Sequence, residues 1–152
     1  MLENFKLSLI TGLSILTTLA IGTFLHINSL FYASIAAVVV SQSCHKKVIQ
    51  LGVKRLYGTI VGALMGLFFF HYLPHSIYIY SLGIFLVVFI CSNFLKAPSN
   101  MAGIVFLAIS TNLGGMSSSF YAFHRIMDTG IGIISTVFVT VAFKFLDDKF
   151  SK

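Results

Sequence analysis

The sequence predicts an all-α integral membrane protein: six transmembrane helices arranged as two inverted three-helix repeats. Three observations predict it. Hydrophobic residues make up 57% of the 152 residues and charged residues only 9%, with a mean hydropathy of +0.97. The apolar residues fall in continuous runs. The two halves of the chain correspond at a spacing of 70 positions. A soluble domain carries about 25% charged residues, so this chain cannot cover a water-facing surface. Disorder requires low hydrophobicity and high charge and is excluded as well. Strands of a membrane barrel alternate apolar and polar residues, which these runs do not. At about 20 residues per crossing, six crossings use about 120 residues and leave about 30 for loops. The expectation is a single transmembrane domain over 1–152, with repeat one at about 1–73, repeat two at about 74–146, and no soluble domain.

The elements follow from hydropathy and its interruptions. Leu7–Ile27 is a full-length span. Its uncharged flank (Glu3 offsets Lys6) and its length argue for a retained first helix rather than a signal peptide. Leu30–Val40 is apolar but short, and runs into the polar stretch from Ser41 to Lys47. Leu56–Leu73 is the third span, closed by Pro74, which cannot continue a helix. Ile77–Leu95 is the fourth, ended by Lys96-Ala97-Pro98-Ser99-Asn100. Met101–Leu113 is again short and dissolves into Gly114-Gly115-Met116-Ser117-Ser118-Ser119. Thr129–Leu146 is the sixth. The stretch Cys44–Arg55, with Val48, Ile49, Leu51 and Val53 between basic residues, reads as a continuation of the second helix that suits anionic lipid headgroups. Tyr72, Tyr78 and Tyr80 suit an outer aromatic belt.

Lysine and arginine in the loops set the orientation. With six crossings and an inside N-terminus, nine basic residues fall inside (Lys6, Lys46, Lys47, Lys54, Arg55, Lys96, Lys144, Lys149 and Lys152) and only Arg125 outside. Both termini are therefore expected in the cytoplasm, in the inner or plasma membrane. The net charge of +6 is accounted for by this anchoring and needs no nucleic-acid partner. Cys44 and Cys91 form no framework, and His26, His45, His71, His75 and His124 are scattered. Neither a metal site nor a cofactor is expected. No nucleophile–base arrangement is visible, so the chain does not read as an enzyme.

The repeat carries the chemistry. Arg55, Thr59 and Gly62 fall on Arg125, Thr129 and Gly132, Ser41-Gln42 on Thr111-Asn112, and Ile35 on Val105. Three crossings per half would invert the second half relative to the first, as in many transporter folds, where paired short spans mark the binding site. Arg, Thr and Gly at i, i+4 and i+7 share one helical face. That face is expected at the N-terminal end of the third helix of each half, where free amides and the helix dipole attract anions. A guanidinium adds a planar fork that suits a carboxylate. Arg55, Thr59, Arg125 and Thr129, with Ser41, Gln42 and Asn112 at the ends of the short spans, are thus the candidate substrate contacts. Other readings stay open. Arg55 beside Lys54 also suits a surface anchor, Arg125 with Asp128 at i+3 a structural ion pair, and the polar span ends the water interface. On the functional reading His124 and Asp128 are candidates for proton coupling. Gly58, Gly62 and Gly66, and Gly132 with Thr136 and Thr140, are small faces for helix packing in lipid. Six short helices enclose a large pathway poorly, so a homo-oligomer, most simply a dimer, is expected.

Lys54-Arg55-Leu56-Tyr57-Gly58-Thr59-Ile60-Val61-Gly62-Ala63 resembles the R-x-x-G-T-x-x-G signature of the aromatic acid exporter family, which groups with the fusaric acid resistance proteins. His124-Arg125-Ile126-Met127-Asp128-Thr129-Gly130-Ile131-Gly132 is similar to that family's second segment, R-x-x-D-T-x-x-G. The resemblance covers roughly Ile15 to Leu146. It implies a six-helix membrane domain that exports aromatic carboxylic acids or related organic anions, with Arg55, Thr59, Arg125 and Thr129 as anion contacts. Distant likeness to plant malate channels implies a dimer with arginines in its pore. Longer members carry a cytoplasmic domain after the sixth helix that this sequence lacks. The functional expectation is an organic-anion exporter. The alternatives are a passive anion channel and a non-transporting membrane subunit.

Overall fold

In lipid every backbone amide and carbonyl needs an internal partner, and a continuous apolar run meets that need as a helix. In the computed structural model this is the outcome throughout. Residues 2–25, 30–42, 47–112 and 117–150 are described, with side chains from Asn4 to Phe145. The helices are α1 (Leu2–Phe24), α2 (Leu30–Ser41), α3 (Val48–Tyr72), α4 (Ile77–Ile90), α5 (Ser99–Ser110) and α6 (Ser118–Phe150). No strand occurs among the described residues. After Ile90, Cys91–Leu95 opens into one π-helical turn, and Lys96 stops it in the left-handed conformation (φ 47°), with the Ala97 amide donating to the Cys91 carbonyl at 3.0 Å.

Four stretches are long and apolar enough to cross a membrane: Asn4–Phe24, Val48–Tyr72, Ile77–Leu95 and Ser118–Phe145. α2 and α5 have 12 residues each. At about 1.5 Å per residue they reach about 18 Å, against about 30 Å of hydrocarbon.

Two boundaries depart from expectation. α3 begins at Val48 rather than Leu56, and α6 at Ser118 rather than Thr129. Of the stretch Cys44–Arg55, the described residues do not prolong the second helix. α2 ends at Ser41, and the chain from Val48 onward opens α3. Hydropathy locates the lipid-facing part of a helix, while Gln, Lys, Arg and Leu extend it past the apolar limit because they are good helix formers. His26, Cys44, His45, Lys46, Gly114, Gly115 and Met116 lie outside the described residues.

The chain forms two compact units, residues 1–52 with 128–152, and residues 53–127. In the first unit α1 and α2 run antiparallel. Gly22 meets Leu30 at one end, and Ser41 Oγ lies 3.0 Å from Thr11 Oγ1 at the other. The face of α1 that is buried repeats every fourth residue: Ile10, Ser14, Thr18 and Gly22. The C-terminal part of α6 joins α2 in the same direction. Gly132 sits against the backbone of Ala33, and the Thr136 hydroxyl lies 3.4 Å from the Ala37 carbonyl and 2.8 Å from that of Gly132.

The second unit is built in the same way. α4 and α5 run antiparallel: Tyr80 Oη donates to the Ser110 carbonyl at 3.2 Å, and Gly83 faces the Phe106 ring. The buried face of α4 is Gly83, Val87 and Cys91, again every fourth residue. α3 runs along α5 in the same direction, Gly58 by Pro98, Gly62 on Ala102, Gly66 on Phe106 and Ile109. Phe69, Val87, Cys91, Ala102 and Phe106 form its core, and Ala63, Ile109 and Ala122 a second cluster. Tyr80, expected in an outer belt, turns its hydroxyl inward. His75 Nδ1 also lies 2.9 Å from that oxygen. Tyr80→Phe should lower stability by about 1 kcal/mol, the net worth of one such bond, read as a fall in Tm; no change would show the clasp to be idle.

The correspondences between the units are residue by residue. Thr11 and Tyr80, each clasping the end of a short helix, stand 69 positions apart, as do Ser41 and Ser110, the buried residues they hold. Ala33 and Ala102, whose carbonyls meet Gly132 and Gly62, share that spacing. The third helices keep the spacing of 70. The short span ends therefore pair Ser41 with Ser110, one residue from the expected pairing with Thr111. In each unit the helix lying along the short helix comes from the other half of the sequence.

Candidate functional site

α3 and α6 carry the candidate residues, and of the four long helices they are the most buried. Of the most apolar window, 39% is buried in each, against 22% in α1 and 17% in α4. Around the arginines the burial pattern is the same position for position. Gly52, Arg55, Gly58 and Thr59 are buried on α3, as are Ala122, Arg125, Asp128 and Thr129 on α6. Arg55 is 5% exposed and Arg125 4%. Both arginines are thus largely covered by the protein itself.

The longer helices change the electrostatics expected from sequence. Arg55 and Arg125 are each the eighth residue of their helix. The free amides of the first turn lie about 10 Å upstream, and the amides beside the arginines are committed to the helix itself. Positive charge at these positions comes from the guanidinium, not from the helix terminus.

Arg55 is held in an unusual state. Its Nε and Nη1 are buried and have no hydrogen-bond partner among the described residues. Thr59, one turn on, donates its hydroxyl to the Arg55 carbonyl at 3.1 Å, so it offers a neighbouring ligand only its lone pairs. The face between them is lined by Gly58 and closed by α5, with the Pro98 carbonyl 3.3 Å from where a Gly58 Cβ would sit. Burying an ion without a counter-ion costs several kcal/mol. That cost falls when an acceptor, above all an anion, reaches these donors.

Arg125 is in different company. Its guanidinium carbon lies 4.4 Å from the centre of the Tyr121 ring, a cation–π contact. Arg125, Asp128 and Thr129 all have partners. Tyr121 is a site residue that the sequence reading missed, although its place four residues before Arg125 marks it as a neighbour on the same face. His124 is half-buried, its ring edge-on to Phe120 at 4.2 Å.

The remaining candidates are at helix ends. Ser41 is buried and engaged by Thr11 and the Val38 carbonyl, while Gln42, Thr111 and Asn112 are exposed. Asn112 has φ 50°, the left-handed conformation that asparagine tolerates, and there it ends α5. Among the described residues no three His, Cys, Asp or Glu side chains gather as metal ligands. Two open clefts, of about 390 and 450 Å³, run along the exposed face of α6 past Ile134, Phe138, Val141 and Phe145. Their lining is apolar, suited to lipid chains, and touches neither arginine.

Long apolar helices, two of which carry buried arginines, define an α-helical membrane protein. Residues 16–139 match the profile described as fusaric acid resistance protein-like, most of the chain, and the chain belongs to that family. The family places it among membrane transport and resistance proteins. Neither a curated protein nor a solved structure matches it.

Proposed function

We propose that the protein is a transporter that exports organic anions, aromatic carboxylic acids first among them, with Arg55 as the group that binds the carboxylate. The observation that carries this reading is the buried Arg55 guanidinium, whose Nε and Nη1 find no partner among the described residues. Nε–H and Nη1–H lie on different edges of the guanidinium, each beside Nη2, so a carboxylate forked on either edge would accept from one of them together with Nη2. Fusaric acid, whose name the family bears, is itself an aromatic carboxylic acid. Thr59 contributes lone pairs to any protonated or hydroxylated substituent, and Arg125 with Thr129 forms the corresponding position on α6.

The arrangement proposed is an inverted repeat. Supporting it are the matched clasps, Thr11 on Ser41 and Tyr80 on Ser110, and the matched glycine contacts of Gly62 and Gly132. Six alternating crossings give α3 and α5 one direction and α2 and α6 the other, in keeping with the parallel packing seen inside each unit. Nine basic residues against one support cytoplasmic termini. The working form is a homodimer in the cell membrane. Proton coupling is assigned to His124 and Asp128.

The test is flux of radiolabelled benzoate in proteoliposomes. A carrier gives uptake that saturates and responds to an imposed pH gradient. Flux that follows voltage without saturation assigns the protein as a channel instead, and no benzoate flux under either gradient overturns the anion reading.

A further inference from the structure

The two arginines occupy matching positions with one difference between them. The segments read Arg55-Leu56-Tyr57-Gly58-Thr59 and Arg125-Ile126-Met127-Asp128-Thr129. Where α3 has a glycine three residues after its arginine, α6 has a carboxylate. We propose that Asp128 is a tethered counter-anion: on α6 it takes the place that a substrate carboxylate takes beside Arg55. This rests on the reading of Arg55 as the substrate contact. Its consequence is that each chain holds one substrate anion, at Arg55, and that the α6 position is closed by the protein's own carboxylate.

Three observations support it. Asp128 is 1% exposed, and a carboxylate that deep in an apolar helix demands a cation. Residues three apart on a helix are neighbours on one face, which places Arg125 as that cation. Arg125 and Asp128 each have an interaction partner. Gly58 is the counterpart of Asp128, and a Cβ there would stand 3.3 Å from the Pro98 carbonyl, a contact relieved by a shift of a few tenths of an ångström. A glycine at that position sets no carboxylate beside Arg55.

The experiment has two arms on the purified full-length chain in phosphatidylcholine nanodiscs. The first needs no substrate. Asp128→Asn and Arg125→Gln should each lower Tm by about 3 °C or more, and the double variant should lose clearly less than the two together, since partners couple. Additive losses would overturn the pairing. The second arm is calorimetric titration with benzoate. Wild type should bind one benzoate per chain. Gly58→Asp should bind at least about 10-fold more weakly, while Gly58→Asn, of the same shape without charge, stays within about 3-fold. Equal binding by Gly58→Asp and wild type, or equal loss in both variants, would overturn the mimicry. If the Gly58 variants do not fold, Asp128→Asn is titrated instead; a second benzoate per chain supports the proposal and an unchanged single one refutes it. A wild-type chain that binds no benzoate would defeat the transport reading, and the thermal cycle would then decide the role of Asp128 alone.

Discussion

Arg55→Gln is expected to cut benzoate flux at least about 100-fold while the variant folds as well as wild type or better. A charge-assisted pair with a buried carboxylate is worth about 3 kcal/mol or more once the partner is lost, which corresponds to about two decades in affinity. The stability half of the expectation separates two roles. If Arg55 were a structural cation with its partners in place, removing it would unpair them and lower Tm. Instead Nε and Nη1 lack partners among the described residues, so glutamine removes a desolvated charge and Tm should hold or rise. Arg55→Lys keeps the charge but not the fork and should fall between wild type and Arg55→Gln in flux. Lost flux with a lowered Tm that benzoate does not restore would assign Arg55 to the fold rather than to the substrate.

The second large effect is expected at two glycines. A Cβ added at Gly62 would run into the Ala102 carbonyl, and one at Gly132 into the Ala33 carbonyl and the Ala36 side chain. The obstacle is backbone in both cases, so the helices must move apart. Gly62→Ala and Gly132→Ala should each cost about 1–3 kcal/mol, and Gly62→Leu or Gly132→Leu should prevent folding. The contrast lies at Gly12, Gly103 and Gly130, all helical, where an added Cβ meets nothing within 4 Å among the described residues. There alanine should be neutral or should stabilise by up to about 1 kcal/mol, because glycine is the poorer helix former. Thermal unfolding of the five alanine variants checks this; equal effects at all five would mean that close helix approach is not what the glycines provide.

Much of this architecture could be read before any coordinates. The six helices follow from runs of lipid-compatible residues, and Gly58, Gly62 and Gly66 announced a close helical contact by their spacing. The arginine–threonine pairs announced a repeated face. What could not be read was where α3 and α6 begin. Gln50, Lys54 and Ser118 to Phe120 are compatible with either loop or helix, and only packing against neighbours decides, as at Gly52, whose face meets Ile133, and at Ala122 in its cluster. That difference moved both arginines from a helix end to a helix interior and removed the dipole from the account of the site. The partner of each glycine stripe was also illegible. Spacing identifies a small face but not the helix that covers it, and here α3 lies along α5, and α6 along α2. The one-residue offset between short and long helices hid the pairing of Ser41 with Ser110. Thr11 and Tyr80 hold the same place but differ in chemistry, so no comparison of residue types would have joined them.

Whether Arg55 binds a carboxylate is tested most directly by the melting temperature of the purified chain against benzoate concentration. Ligand that binds only the folded state raises stability by RT ln(1 + [L]/Kd), about 2.7 kcal/mol at 100 times Kd. Wild type should show a rising Tm that follows this form, and Arg55→Gln, folded and at the same concentrations, should show none. An equal rise in both proteins, or no rise in wild type at any benzoate concentration, would contradict carboxylate binding by Arg55.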